Sequence, residues 1–173
     1  SNKGIELTIN AIPVQTKNFQ WSTTLNLSHN QNKVVKLSNS TYSVNYIDQG
    51  NPNVGGFVGV NTQRIMEGEP IGTFYMWEWA GYNENGISIF NEYDENGELT
   101  GTTENPQDKD RRKVGHAQPK LNLGWNNTLN YKNWTLTAFF QGVFGNKILN
   151  STRAQFNNVT NLRVGKNGLR EII

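Results

Sequence analysis

The stretch KLNLGWNNTLNYKNWTLTAFFQGVFGN, Lys120 to Asn146, decides the fold. Leu121, Leu123, Trp125, Asn127, Leu129 and Tyr131 alternate with Asn122, Gly124, Asn126, Thr128 and Asn130. One side of this run is apolar at all but one place, and the other is polar or glycine. After Lys132-Asn133 the alternation resumes, with Trp134, Leu136, Ala138 and Phe140 on one face and Thr135, Thr137, Phe139 and Gln141 on the other. A period of two on both arms of a two-residue turn predicts a β-hairpin. Its aromatics gather at the turn end, and its two faces suit hydrocarbon on one side and water on the other.

Working outward, the same design occurs near the start of the chain. Ile5, Leu7, Ile9 and Ala11 alternate with Glu6, Thr8 and Asn10, and Trp21, Thr23, Leu25, Leu27 and His29 alternate with Ser22, Thr24, Asn26, Ser28 and Asn30 across the turn Thr16-Lys17-Asn18. The pattern predicts strands over 4–15, 20–30, 57–66, 71–82, 119–131 and 134–144. Short turns at 16–18, 67–70 and 132–133 then alternate with long polar segments at 31–56, 83–117 and from 145 onward. Within 83–117, ISIFNEY and DENGELTG predict a small hairpin turning at Asn96-Gly97. Phe19, Trp21, Phe74, Tyr75, Tyr131 and Trp134 all lie beside short turns. These features predict an all-β chain of antiparallel up-and-down strands, a segment of a transmembrane β-barrel with long extracellular loops. On this reading Leu121, Leu123, Trp125, Leu129, Tyr131, Trp134, Leu136 and Phe140 face lipid, while Asn122, Asn126, Thr128, Asn130, Thr135, Thr137 and Gln141 face the lumen. The alternative is a soluble secreted β-sandwich that binds carbohydrate, since sandwich strands alternate too.

Composition narrows the function classes. Apolar residues make up 35% of the 173 residues, and mean hydropathy is −0.66. No apolar run approaches the roughly 18 residues of a membrane-spanning helix, a test that barrel strands escape. A net charge of +2 gives no argument for nucleic acid. Glu84 to Asp110 nevertheless holds eight acidic residues and one lysine, which leaves the rest of the chain basic. With no cysteine, a disulfide scaffold and a zinc–cysteine site are both excluded. The chain opens SNKGIELTIN, already in strand pattern and without a visible signal peptide, so the barrel reading makes it an internal or truncated segment.

KGIELTI, WSTTLNLSHNQNKV, EGEPIGTFYMWEWAGYNENG and VGHAQPKLNLGWNNTLNYKNWTLTAFFQGVFGNKILN, in that order and spacing, resemble successive strands of the SusC/RagA family of TonB-dependent outer-membrane transporters. GEPIG (Gly68 to Gly72) and HAQPKLNLGWNNTLNYKNWTL (His116 to Leu136) are the most specific parts. The resemblance implies a late part of a 22-stranded transmembrane β-barrel. The plug domain, the TonB box and the final strands would then be absent from this chain. It also implies TonB-dependent nutrient uptake of glycan or peptide oligomers through the outer membrane of a Gram-negative bacterium. The implied partners are a SusD-like surface lipoprotein, the TonB complex and outer-membrane lipid.

No catalytic constellation is visible, so no enzyme is expected. His29 and His116, the two histidines, have no partner at metal-ligand spacing. Asp94-Glu95-Asn96-Gly97-Glu98 is oxygen-rich, but Leu99 and Asn105 stand where an EF-hand needs Gly and Glu. The sequence therefore predicts no cofactor, leaving only an adventitious calcium at that loop. Trp77, Trp79 and Tyr82 are the candidate ligand-binding residues, because aromatic faces stack on a sugar ring or a peptide side chain. The competing reading of the three is an aromatic girdle or a contact with the lid partner.

Overall fold

Sustained alternation builds long strands. In the computed structural model the described residues are 1–55, 57–157, 165, 167–168 and 170. Their strands are β1 (Asn2–Gln15), β2 (Phe19–Asn32), β3 (Tyr46–Gln49), β4 (Gln63–Met66), β5 (Thr73–Met76), β6 (Trp79–Tyr82), β7 (Ser88–Tyr93), β8 (Leu99–Thr103), β9 (Arg112–His116), β10 (Leu121–Tyr131) and β11 (Trp134–Phe144). A 3-10 turn lies at Asp108–Asp110 and a short helix, α1, at Ser151–Phe156. The polar segment expected from 145 onward lies partly outside the described residues, as does Gly56 of the first long segment.

The four longest strands form one antiparallel sheet in the order β1-β2-β10-β11. Register holds the alternation in phase across it. Ile9 pairs with Leu25, Leu25 with Trp125 and Trp125 with Phe140, while Asn10 pairs with Thr24 and Thr24 with Asn126. Because facing residues in a ladder share a side, most apolar residues pair with apolar ones and most polar with polar, with Asn122 opposite Val143 and Asn126 opposite Phe139 as exceptions. Lys132 takes φ +51°, a left-handed value suited to a two-residue hairpin turn. Its N–H bonds Asn18 O at 2.9 Å, tying the two tight turns together at one end of the sheet.

The remaining strands do not extend this sheet. β3-β4-β5-β9 form a second sheet and β6-β7-β8 a third. The expected strand over 57–66 is cut to Gln63–Met66, with Gly59 at φ +74° in a turn before it. The run over 71–82 divides at Trp77-Glu78 into β5 and β6, which lie in different sheets, and Gly72, at φ +85°, precedes β5. Each side of that run mixes aromatic with small or charged residues, so no single face directs it into one long strand.

These findings correct the expectation of an up-and-down segment of a transmembrane β-barrel. The described residues form an all-antiparallel β-sheet domain in three open sheets, with no closed barrel, and β2 is followed in its sheet by β10 rather than by the next strand. No helix among them is long and apolar enough to cross a membrane. The soluble sandwich gains no support either. Phe74 is the one buried hydrophobic side chain among the described residues, and Leu136 and Phe140 are 62% and 53% exposed. The accessible surface is 12405 Å², against about 8,600 Å² for a folded monomer of 19.6 kDa. The large sheet leaves Ile5, Leu7, Ile9, Trp134, Leu136 and Phe140 exposed, an apolar face of the kind that marks a contact surface.

Candidate functional site

Burial in the second sheet is polar. Arg64, Arg111, Asp110, Thr62 and Thr73 are all buried. Arg64 on β4 grips Asp48 on β3 in a fork, Nε to Oδ1 at 2.7 Å and Nη2 to Oδ2 at 2.9 Å, and reaches Asp108 at 3.2 Å. Arg111 touches the same two carboxylates, Asp48 at 3.3 Å and Asp108 at 3.0 Å, and donates to the carbonyls of Tyr75 and Asn61. The Arg64 guanidinium also lies 3.7 Å from the Tyr46 ring centroid and 4.2 Å from that of Tyr75. Two buried cations thus have two carboxylates and aromatic faces around them, the condition under which buried charge is tolerated.

The arginine cluster supports one wall of a cavity of about 430 Å³. Tyr75, Met76 and Trp77 line it from the end of β5, Trp79 and Phe90 from the third sheet, and Phe57, Val60 and Pro106 from the connecting segments. Trp77 is held by its Nε1–H, which donates to Gln107 O at 2.7 Å. Trp79 opens β6 and is 57% exposed. Tyr82 does not line the cavity. It stands edge-on to Trp79, centroids 5.2 Å apart at 77°, as an outward extension of the aromatic surface. The structure therefore brings Trp77 and Trp79 together and sets Tyr82 beside them. Sequence reading missed Phe57, Phe90, Pro106 and Arg111, whose convergence from separate segments leaves no local signal.

Acid sensitivity follows from Asp48, which is paired with arginine, and Asp110, which is held by backbone N–H groups. The Arg64 hydrogen bond holds the Asp48 carboxyl below its ordinary 3.8, against opposing burial. Burial works to raise Asp110, but the backbone N–H groups of Gln107 and Tyr93, at 2.7 and 2.9 Å, outweigh it and lower this carboxyl too. A carboxyl lowered in the folded state stabilises above its unfolded pKa, and that stability drains away as pH falls through the folded value. Acidification below about pH 4 is therefore expected to loosen the Asp48 contact in the second sheet and the Asp110 contacts that tie the 3-10 turn to β7. Hydrogen exchange at the Tyr93 and Gln107 amides, corrected for intrinsic rate, would rise below that pH. Unchanged protection down to about pH 2 would refute the assignment.

The two row sets of the large sheet occupy opposite faces. Leu121, Leu123, Trp125, Leu129 and Tyr131 of β10 share one face with Trp134, Leu136 and Phe140 of β11, and Asn122, Asn126, Thr128, Asn130, Thr135, Thr137 and Gln141 take the other. Asn127, the polar exception on the apolar face, is 7% exposed, and its Oδ1 accepts the Trp21 indole N–H at 3.0 Å. The Trp125 indole N–H likewise donates to Thr23 Oγ1 at 2.9 Å. On the polar face, Thr8 donates to Asn26 at 2.9 Å, Thr24 to Asn10 at 2.8 Å and Thr135 to Asn130 at 2.8 Å.

The acidic loop is a turn. Asp94 Oδ1 accepts from the backbone N–H groups of Asn96 and Glu98 at 2.9 and 2.8 Å, which fixes the turn. The Glu98 N–H, foremost, holds the Asp94 carboxyl low. No three His, Cys, Asp or Glu side chains among the described residues converge as metal ligands. His29 Nδ1 contacts Lys120 O. His116 Nδ1 is buried without a hydrogen-bond partner.

No family model matches the chain. It is 36% identical over 167 residues to TonB-dependent receptor P3 of Formosa agariphila, covering 87% of this chain and 16% of that protein. TonB-dependent receptor P26 of the same organism is 32% identical, over 86% of this chain and 15% of that protein. TonB-dependent receptor SusC of Bacteroides thetaiotaomicron is 34% identical over 101 residues, 57% of this chain and 10% of that protein. The chain thus spans a small part of the length of the curated relatives it matches. Its fold is similar to part of the RagAB peptide transporter, with TM-score 0.73 at 22% identity over 91% of this chain and 16% of that one. The RagAB peptide importer in its closed-closed state gives TM-score 0.66 at 21% identity, over 84% of this chain and 15% of that one.

Proposed function

From its family-level homology to TonB-dependent SusC/RagA receptors, we propose that this chain serves TonB-dependent uptake of glycan or peptide oligomers at the outer membrane of a Gram-negative bacterium. Kinship with receptors and a transporter is kinship with non-catalytic proteins, and a non-enzymatic chain agrees with it. The four-stranded sheet acts as a wall element, its apolar face toward lipid and its polar face toward the aqueous passage. The second and third sheets form the loop-side structure that meets the incoming oligomer and a SusD-like lipoprotein, with Trp77, Trp79 and Tyr82 as the contact surface. TonB, acting on parts of the protein outside this chain, supplies the work of import.

One observation carries this reading. The large sheet leaves a largely apolar face open, and two polar side chains on it are bonded within the sheet, Asn127 Oδ1 by the Trp21 indole and Thr23 Oγ1 by the Trp125 indole. Hydrocarbon offers no hydrogen bonds, so a lipid-covered face must satisfy its own polar groups. The opposite face keeps a dense set of Asn, Thr and Gln for water or a hydroxyl-rich solute.

The test is uptake by cells lacking the full-length gene, given fluorescent oligosaccharide and peptide mixtures with and without an intact TonB system. Loss of one class of oligomer in the deletion strain, matched by loss in the TonB-deficient strain, is the expected result. Undiminished import of both mixtures would sink the proposal.

A further inference from the structure

A second cavity, of about 390 Å³, lies at the end of the large sheet opposite its tight turns, where β2 leaves the sheet and β10 enters it. Lys33, Lys113 and Lys120 line it, together with His29 and His116. The carboxylate among its lining residues is that of Glu69, held by Lys113 Nζ at 2.7 Å. Lys33 and Lys120 have no ion-pair partner among the described residues. Lys33 also lines a neighbouring cavity with Lys3, so positive charge continues around the rim.

Two features say what the site takes. Three lysines in the lining against one engaged carboxylate leave an excess of positive charge that favours an anion. The donors are lysines, point charges on flexible stems, and no arginine fork lines the cavity. This suits a tetrahedral oxyanion approached from several sides better than a planar carboxylate gripped in two parallel bonds. The buried, unpartnered Nδ1 of His116 is a further ring nitrogen in the lining without a protein partner. The apolar sheet face ends beside this cavity, at the level where a lipid headgroup would stand if lipid covers that face.

We propose that this lysine-lined cavity is a phosphate-binding site, and that the phosphate it takes is the headgroup of an anionic lipid packed against the sheet. The lysine cluster carries the phosphate assignment by itself, whereas the lipid source rests on the lipid-facing reading of the sheet. Neither depends on import.

The full-length protein, purified in neutral detergent, would be titrated with inorganic phosphate and then offered phosphatidic acid in phosphatidylcholine nanodiscs. Lys33→Gln/Lys120→Gln serves as the variant, because both residues are exposed and neither forms an ion pair among the described residues. The expected result is selective retention of phosphatidic acid over phosphatidylcholine, competed by inorganic phosphate. Retention should fall on the order of thirtyfold in the variant, the weight of two lysines at an anionic surface. Binding of inorganic phosphate without lipid selectivity upholds the phosphate site and overturns the lipid source. An absence of any phosphate binding, or binding that survives both substitutions unchanged, overturns the site itself, and neither result touches the import assay.

Discussion

Arg64→Met is expected to weaken the second sheet by about 3 kcal/mol, because it removes a cation from a buried network and leaves its partner carboxylate in place. Arg64 is the hub. Its side chain is 5% exposed, it forks onto Asp48, and it packs between the rings of Tyr46 and Tyr75. Without it, Asp48 keeps only the longer contact to Arg111 at 3.3 Å. Asp108 loses less, since its side chain is 59% exposed and water can replace the guanidinium. The comparison is Lys113→Met, which breaks a bridge whose lysine is 51% exposed and so should cost under about 1 kcal/mol. The measurement is amide exchange along β3 and β4 in the full-length protein. An increase of about a hundredfold corresponds to the expected loss. If Arg64→Met and Lys113→Met give equal, small increases, the cluster is a surface network and its burial contributes nothing.

The same network explains where sequence reading succeeded and where it failed. The hairpin over 121–144 was legible because strand residues report their own environment, and Leu121 to Tyr131 keep the alternation everywhere but at Asn127. The hairpin over 88–103 was legible from Asn96-Gly97 for a similar local reason. Alternation says that a strand has two environments, but not which strand comes next to it or whether a sheet closes. Nothing in WSTTLNLSHN names the β10 residues that pair with it, and the barrel expectation failed on that unread information. The region from 57 to 82 failed differently. Arg64, Thr62 and Thr73 are buried there, so polarity no longer marks the outside. Asp48 and Arg64 lie 16 residues apart, Arg64 and Asp108 44. Such long-range pairing is visible only once the chain is folded. The tryptophans of the aromatic cavity were legible as side chains in want of a contact, while their neighbours Phe57, Phe90 and Pro106 were not.

Leu129→Asp and Thr128→Asp, adjacent in β10, should part company sharply in the full-length protein. Leu129 pairs with Trp21 and Leu136 on the apolar face, and Thr128 with Ser22 and Thr137 on the polar one. If lipid covers the apolar face, a carboxylate at 129 meets hydrocarbon and costs roughly 3 kcal/mol, enough to deplete the correctly assembled protein. At 128 the same charge meets water beside hydroxyl groups, and the cost stays within about 0.5 kcal/mol. The readout is the amount of folded full-length protein recovered from the outer-membrane fraction, with Leu129→Ala as the control that removes the apolar side chain without adding charge. Truncation alone should be mild, because Leu136 across the ladder is already 62% exposed and the site has no closed packing to lose. A strong effect of Leu129→Asp against weak effects of Leu129→Ala and Thr128→Asp isolates the surrounding medium from packing as the cause. Equal tolerance of both aspartates would mean that water reaches both faces of the sheet, and the lipid-facing assignment of the Leu, Trp and Phe rows would fall with it.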